Sequence, residues 1–580
     1  MAKFLIGILT GLILAAFAGL ILFFALVRLG DQKPTVADNS TLVLKLQGDV
    51  PEKSGVEFPF PGLDSNTSQT MLETWSLLRR AGSDPKIKAI VLMPKHMAIG
   101  WGKVREIRDG LTEFKKSGKP VYAWLETPTT RDYYLATVAD KIYLAPEDYL
   151  DVKGLRIEMM FFRNTLDKLG VQMEMEHIGK YKDAGDMFTR TSMSPETRQV
   201  MDSVLDSIYS DILTTVSGGR KKTVEEIRAA IDNGPILAPE ALKRGLVDAN
   251  IYEDQVYGEL KNKVGVEGKR VSAKDYLKAM PAVAGGSRIA VVVGQGAIYR
   301  GDSQDLSDDG IYSDSFVRTV RQAANDTSIK AAIVRIDSPG GDAIASDDIL
   351  REVKLLSQKK PTVISMSDVA ASGGYYIAMT GDPIIAYPNT LTGSIGVIYG
   401  KANVKGLYDK LGITKDMLKR GANADIDSDY TPLTDASRKK LRDSMEHIYT
   451  GFVTRVASAR KQKYEQIDEL AQGRVWLGSQ AKGNKLVDEL GGLDRAIEVV
   501  KAKAKIPAGE QVRLVPFPGR KSFFEALMKG SGSSLVEAKI ARISGQNALS
   551  SIFPAGVMAQ LKVLVHGGIL RTMPYTIEVR

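Results

Sequence analysis

The sequence predicts an α/β protein in which two tandem copies of one domain follow an N-terminal transmembrane helix. Three observations predict this class. The chain opens on a run without a charged residue, "FLIGILTGLILAAFAGLILFFALV" at 4–27. Three segments of the first half recur in the second at one shift of 242 residues. Within each half, short apolar runs rich in β-branched residues alternate with amphipathic stretches, the pattern of strand–helix units.

The elements follow in chain order. At about 1.5 Å per residue, residues 4–27 reach across a hydrocarbon core of about 30 Å. "AFA" at 16–18 has the form of a cleavage site, but cutting there leaves "GLILFFALV" at the start of a soluble domain. An uncleaved anchor is therefore expected. Lys3 lies on one side of it and Arg28 and Lys33 on the other, so charge gives little orientation. A single anchor before a large domain places that domain outside the cytoplasm.

Two copies follow, at 42–280 and 288–505. "IKAIVL" at 87–92 returns as "IKAAIV" at 329–334, "YYLATVADKIYLAP" at 133–146 as "YYIAMTGDPIIAYP" at 375–388, and "DKLG" at 167–170 at 409–412. "KPVYAWL" and "KPTVISM" align at a shift of 241. Runs such as "IAVVV", "AAIVRI", "TVISM" and "IIAY" read as strands, and "SDDILREVKLLSQ" reads as a helix. Residues 506–580 match neither copy. "KSFFEALMKG" there has helical character, and the Gly/Ser-rich stretches around it suggest a loosely tied extension.

Composition narrows the chemistry. The net charge is +9, yet lysines and arginines are interleaved with acids, as in "KKLRDSMEH". That is a solvated mixed-charge surface, so no nucleic-acid partner is expected. The 580 residues contain no cysteine, which removes disulfides, thiolate metal sites and a thiol nucleophile. The four histidines form no ligand pair. Neither a metal nor an organic cofactor is implied.

The duplication makes a controlled comparison inside one chain. In "SDVAASGGYYIAM", 367–379, Ser372 faces Thr130 of the first copy, and the two glycines after it face Arg131 and Asp132. The loop "DSPGGD", 337–342, faces "KHMAIG", 95–100. Only the second copy thus has a serine on a glycine turn before a helix, together with a Gly-Gly loop after a strand. Singly, each is a tight turn with a capping serine. Together they are the parts of an acyl-transfer site. A serine at a helix start gains from the dipole as negative charge develops. Backbone amides of Gly373 and of the Gly340–Gly341 turn are candidates to hold the oxyanion.

No histidine stands near Ser372, so a carboxylate or an amine must take its proton. The first copy reads "HIGKYKDAGDMF", 177–188, where the second reads "KRGANADIDSDY", 419–430. Lys182 faces Ala424 and Lys180 faces Ala422. One copy keeps a serine and the other keeps lysines, which a Ser–Lys dyad across the interface between copies would explain. Such a lysine must fall from ~10.4 towards ~7–8, and desolvation moves it that way.

These residues resemble a known family, signal peptide peptidase SppA or protease IV, in its long, duplicated, membrane-anchored bacterial form. The resemblance spans the anchor, both copies, "GKYKDAGDMF", "DSPGGD", "AASGGYYIA" and "TLTGSIGV". It implies ClpP/crotonase-like α/β domains, with Ser372 as the acylated nucleophile. The family's lysine follows a tyrosine in a Gly-x-Tyr-Lys run, which selects Lys182 over Lys180 as general base. Ser394, in "TGSIG", takes the place of a serine that hydrogen-bonds the lysine amine. The substrates implied are remnant signal peptides taken as extended chains, a form suited to strand addition beside the Gly-rich loop. Also implied are a homo-oligomer, a tetramer, with sites facing an enclosed concavity, and a single-pass place in the bacterial inner membrane with periplasmic catalytic domains.

Two other readings compete. A crotonase-type acyl-CoA enzyme would use the same two amides, but it needs a carboxylate near the Gly-Gly loop and cytosolic CoA. A catalytically silent membrane scaffold would leave Lys182 exposed and far from Ser372.

Overall fold

The computed structural model describes residues 34–54, 69–265, 269–280, 285–303, 310–519 and 569–573, with scattered positions between 6 and 18. The expected anchor at 4–27 lies mostly outside the described residues, among which no helix is long and apolar enough to cross a membrane.

Two sheets share one order of six parallel strands, and the second also carries a branch on the strand Thr362–Ala371, where Leu391–Gly393 pairs antiparallel with Val475–Leu477. In the first, Ala249–Asn250, Lys141–Leu144, Val121–Leu125, Ile87–Met97, Ser40–Gly48 and Arg270–Ser272 lie side by side. In the second, Glu489–Leu490, Ile384–Ala386, Thr362–Ala371, Ile329–Ser338, Ser287–Gln295 and Val512–Phe517 repeat that order. The central strands read as near-continuous apolar runs because helices cover both faces of a parallel sheet. Ile87, Ala89, Ile90, Val91 and Leu92 are all fully buried, as are Ala331, Ala332, Ile333 and Val334. Val512–Phe517, past the expected end of the second copy, takes the edge position that Arg270–Ser272 holds in the first sheet.

Helices repeat as well. Trp101–Lys115 corresponds to Ala343–Lys359, and Pro195–Arg220 to Asp435–Arg460. The last two are each 26 residues long, capped by a hydroxyl (Ser194, Thr434) and ended by a left-handed lysine (Lys221, Lys461).

A third sheet, built from short pieces of both copies, joins them. Its order is Ile311–Tyr312, Ile298–Tyr299, Gly340–Asp342, Leu570–Thr572, Val397–Asn403 and Gln172–Ile178. The last two run antiparallel in continuous register from Val397↔Ile178 to Asn403↔Gln172. Ala371, Leu391, Val475 and Leu477 of the second copy also pack into the main apolar core of the first. The two copies are thus welded at the place where the candidate residues converge.

Candidate active site

Ser372 sits just past the C-terminal end of the strand Thr362–Ala371, at the first turn of the short helix Gly373–Tyr376. Its φ of 52° is positive, a strained setting for a residue with a side chain. The fold over-determines that setting. Ser372 N–H donates to Gly393 O at 2.8 Å, and Ser372 O accepts from Tyr376 N–H at 2.8 Å. The next turn has no room for side chains, since a Cβ on Gly374 would lie 2.5 Å from Ser338 O. The helix start and the "DSPGGD" loop therefore abut.

Lys182 arrives from the other copy. The strand Gln172–Ile178 ends at Gly179, whose φ of 108° and close approach to the Gln472 backbone require glycine. Tyr181 N–H then donates to Gln472 O at 2.8 Å, and Lys182 N–H to Gly179 O at 3.0 Å. The side chain of Lys182 is fully buried. Its Nζ lies 2.9 Å from Ser372 Oγ, 2.9 Å from Ser394 Oγ and 2.8 Å from Ser394 O. These three contacts are all to neutral oxygens, and both serines are fully buried. Ser394 is itself fixed by its N–H, which donates to Arg474 O at 2.7 Å.

The structure thus brings Ser372, Lys182 and Ser394 of one chain together. It does not bring Lys180, which is exposed with its Nζ 4.8 Å from the centre of the Tyr181 ring. The acid next to the lysine in sequence is spent elsewhere. Asp183 Oδ2 accepts from Ser194 Oγ at 2.9 Å and Thr197 Oγ1 at 2.5 Å, tying the segment to the start of the helix Pro195–Arg220.

The glycine turn stands beside the serine with both residues at positive φ, 96° for Gly340 and 157° for Gly341. Gly340 N–H donates to Ser338 Oγ at 3.2 Å. Gly341 would meet Ile298 O at 2.1 Å if it carried a Cβ. The strand Gly340–Asp342 is not bare. Leu570–Thr572, from the C-terminal extension, lies antiparallel to it in the register Gly340↔Thr572 and Asp342↔Leu570. On its other side this strand meets Val397–Asn403 through Ile398↔Leu570. A piece of the chain's own extension thus occupies the edge where an added extended strand was expected.

Sequence reasoning missed the clasp around the lysine. Gly473 N–H donates to Ile395 O at 2.8 Å, and a Cβ on Gly473 would lie 2.6 Å from Lys182 Cβ. The Arg474 guanidinium lies 4.2 Å from the Trp476 ring and 5.4 Å from that of Tyr181. The run "QGRVWLG", 472–478, was visible, but nothing in it names its partner. Among the described residues, no group of three or more His, Asp or Glu side chains is placed to hold a metal ion.

The family model described as "Peptidase family S49" matches residues 113–267 and again 354–507. The serine protease SPPA of Arabidopsis thaliana chloroplasts is 35% identical over 512 residues, 86% of this chain and 74% of that protein. Protease 4 of Salmonella typhi is 35% identical over 76% of this chain and 73% of its own length. Protease 4 of Haemophilus influenzae is 33% identical over 80% and 76%. Among solved structures, a ClpP1 mutant from Listeria monocytogenes covers 36% of this chain and 94% of its own, at 15% identity and a TM-score of 0.24. That score is too low to bear on the fold.

Proposed function

The chain belongs to peptidase family S49 and is a serine peptidase, and on that premise we propose that Ser372 is its nucleophile and Lys182 its general base. The observation that carries this reading is the 2.9 Å contact between Lys182 Nζ and Ser372 Oγ in a site closed to solvent. Full burial disfavours an ammonium, and only the free amine can act as a base. The contacts of Nζ with Ser394 O and Oγ hold the amine beside Ser372 Oγ, within reach of its proton.

The steps follow from that arrangement. Lys182 Nζ takes the proton as Ser372 Oγ bonds to the substrate carbonyl carbon, and the C=O pair moves onto oxygen. Gly373 N–H and the Gly340–Gly341 turn receive that oxyanion. The oxyanion pair then re-forms C=O as the C–N bond breaks and Lys182 gives its proton to the leaving amine. Water attacks the acyl carbon with its proton passing to Lys182, and the second intermediate collapses as Ser372 Oγ leaves and takes that proton back. Membership in a peptidase family sets aside the acyl-CoA reading, and a buried lysine in contact with the serine is not what a silent scaffold would show.

Finer parts of the reading go together. The ClpP/crotonase-like domains supply the two amides, and the substrates are extended apolar peptides such as remnant signal peptides. Residues 4–27 hold the protein in the bacterial inner membrane with its catalytic domains on the periplasmic side, as a homo-oligomer, a tetramer.

The test is hydrolysis of an apolar signal-peptide-like substrate by the detergent-purified full chain. Ser372→Ala and Lys182→Ala are each expected to lose about 1,000-fold or more in kcat while keeping the wild-type assembly. Lys180→Ala is expected to stay within a few-fold. Undiminished turnover by Lys182→Ala would remove the dyad.

A further inference from the structure

The first copy sends a second buried lysine towards the site. Lys103, on the helix Trp101–Lys115, is 4% exposed. Its Nζ lies 2.8 Å from Asp337 Oδ2 and 3.9 Å from Asp368 Oδ2. Both carboxylates belong to the second copy, one on each arm of the candidate site. Asp337 opens the "DSPGGD" loop, and Asp368 lies near the end of the strand that delivers Ser372. The arms are also stitched directly, since Val369 N–H donates to Asp337 Oδ1 at 3.0 Å.

The duplication shows how this arrangement was built. In the second copy Asp342 caps its own helix, accepting from Ile344 N–H at 2.9 Å and Ala345 N–H at 2.8 Å. At the shift of 242 its counterpart is Gly100. There Asp368 reaches across and caps the first copy's helix, accepting from Gly100 N–H and Lys103 N–H, both at 2.7 Å. A Cβ on Gly100 would lie 2.3 Å from Asp368 Cγ, so the missing side chain is the space that the foreign carboxylate fills. Burial pushes the Asp368 carboxyl up to about 6, against the pull of Lys103 and with Asp337 adding to the rise. Burial also works against the Lys103 ammonium, yet Asp337 and Asp368 hold it well above its ordinary value.

We propose that Lys103 is a positioning residue of the peptidase, holding the Gly340–Gly341 turn in register with Ser372 through Asp337 and Asp368, an inference that rests on Ser372 being the nucleophile. Without the cation, the ion pairs that tie Asp337 and Asp368 to one ammonium are lost, and the two buried carboxyl groups relieve their repulsion by taking up a proton or moving apart. The displacement is felt where Gly374, two residues after Ser372, packs on Ser338 O at the start of the glycine loop. A misplacement of about 1 Å at a reacting centre costs about 100-fold in rate.

The experiment uses the full chain in detergent and reads kcat, KM and the Ki of a peptide aldehyde. The aldehyde carbon bonds to Ser372 Oγ as the hydroxyl proton passes to Lys182 Nζ, its C=O pair moves to oxygen, and that oxygen calls on the same amides as the reaction. Lys103→Met is expected to lose about 10- to 100-fold in kcat with KM within about twofold, and to bind the aldehyde about tenfold more weakly. Lys103→Arg, which keeps the charge, is expected to recover most of both. A structural role alone would lower the folded fraction and leave Ki untouched. Wild-type kcat and Ki in Lys103→Met overturn the proposal. Should that variant fail to fold, Asp337→Asn keeps an acceptor for Val369 N–H and removes the charge. A weaker aldehyde Ki in it then supports the proposal, and an unchanged one overturns it. Full turnover by Ser372→Ala would instead bring down the reading beneath it.

Discussion

At Gly473 an added Cβ would lie 2.6 Å from both the backbone nitrogen and the Cβ of Lys182, and the φ of +78° already disfavours any side chain. Gly473→Ala must therefore push the lysine segment away from Ile395 and Ser394, lengthening the contact with Ser372. The expected outcome is a loss of about 10- to 100-fold in kcat, comparable to a misplacement of about 1 Å. Kinetics on the purified variant check it, and wild-type kcat would show that the clasp yields without moving Nζ. Ser372 was legible because the duplication left its absence in the sister copy; the same signal pointed to Lys180 and Lys182 alike, and the family resemblance chose Lys182. Ser394 was legible only through family resemblance, for by itself it reads as a turn serine. Gly473 and Lys103 were not legible. A glycine in a turn and a lysine on a helix each have a commonplace explanation, and only the folded chain shows what they touch.

At the scale of elements, the strand Thr362–Ala371 carries both the nucleophile at its end and the cap for a helix of the other copy, through Asp368. Burial holds that carboxyl at about 6 when folded, against about 3.9 in an unfolded chain. The folded protein then binds the proton more tightly, so this group's contribution to stability falls as pH rises from about 4 to about 6, and levels off above. Relative to Asp368→Asn, the wild type is expected to be more stable at pH 4 than at pH 7. Denaturant midpoints measured across that range check it, and parallel pH profiles for the two proteins would refute it. The parallel sheets and their flanking helices were readable because apolar runs and amphipathic stretches alternate locally. The third sheet was not. Its strand Gly340–Asp342 has no apolar alternation, and its partners come from distant parts of the chain, so no local pattern announces it.

Across the whole molecule, two long-range connections set how the copies and the extension work together. Arg335 on the strand Ile329–Ser338 grips Glu52 of the first copy bidentately, at 2.8 and 3.1 Å, and Glu106 at 2.5 Å, all buried. Arg335→Met would leave two carboxylates buried without their cation, an expected loss of about 3–5 kcal/mol in unfolding free energy. Equilibrium denaturation reads it directly, and a change under 1 kcal/mol would count against the weld. The second connection is the extension. Met573 N–H donates to Pro339 O at 2.7 Å, and the buried Met573 side chain shares an apolar cluster with Ala371, the residue before Ser372. Leu570–Thr572 makes the backbone bonds that an extended substrate would make beside the glycine turn. A peptide that needs the same edge must displace it, and apparent affinity then falls by the fraction of time the edge is free. If the strand is seated nine-tenths of the time, deleting residues 569–580 is expected to raise kcat/KM for extended peptides about tenfold. The excised sequence "ILRTMPYTIEVR", added as a free peptide, should inhibit the shortened enzyme competitively. A shortened chain no faster than the intact one, and indifferent to that peptide, would mean that substrates reach Ser372 by another edge.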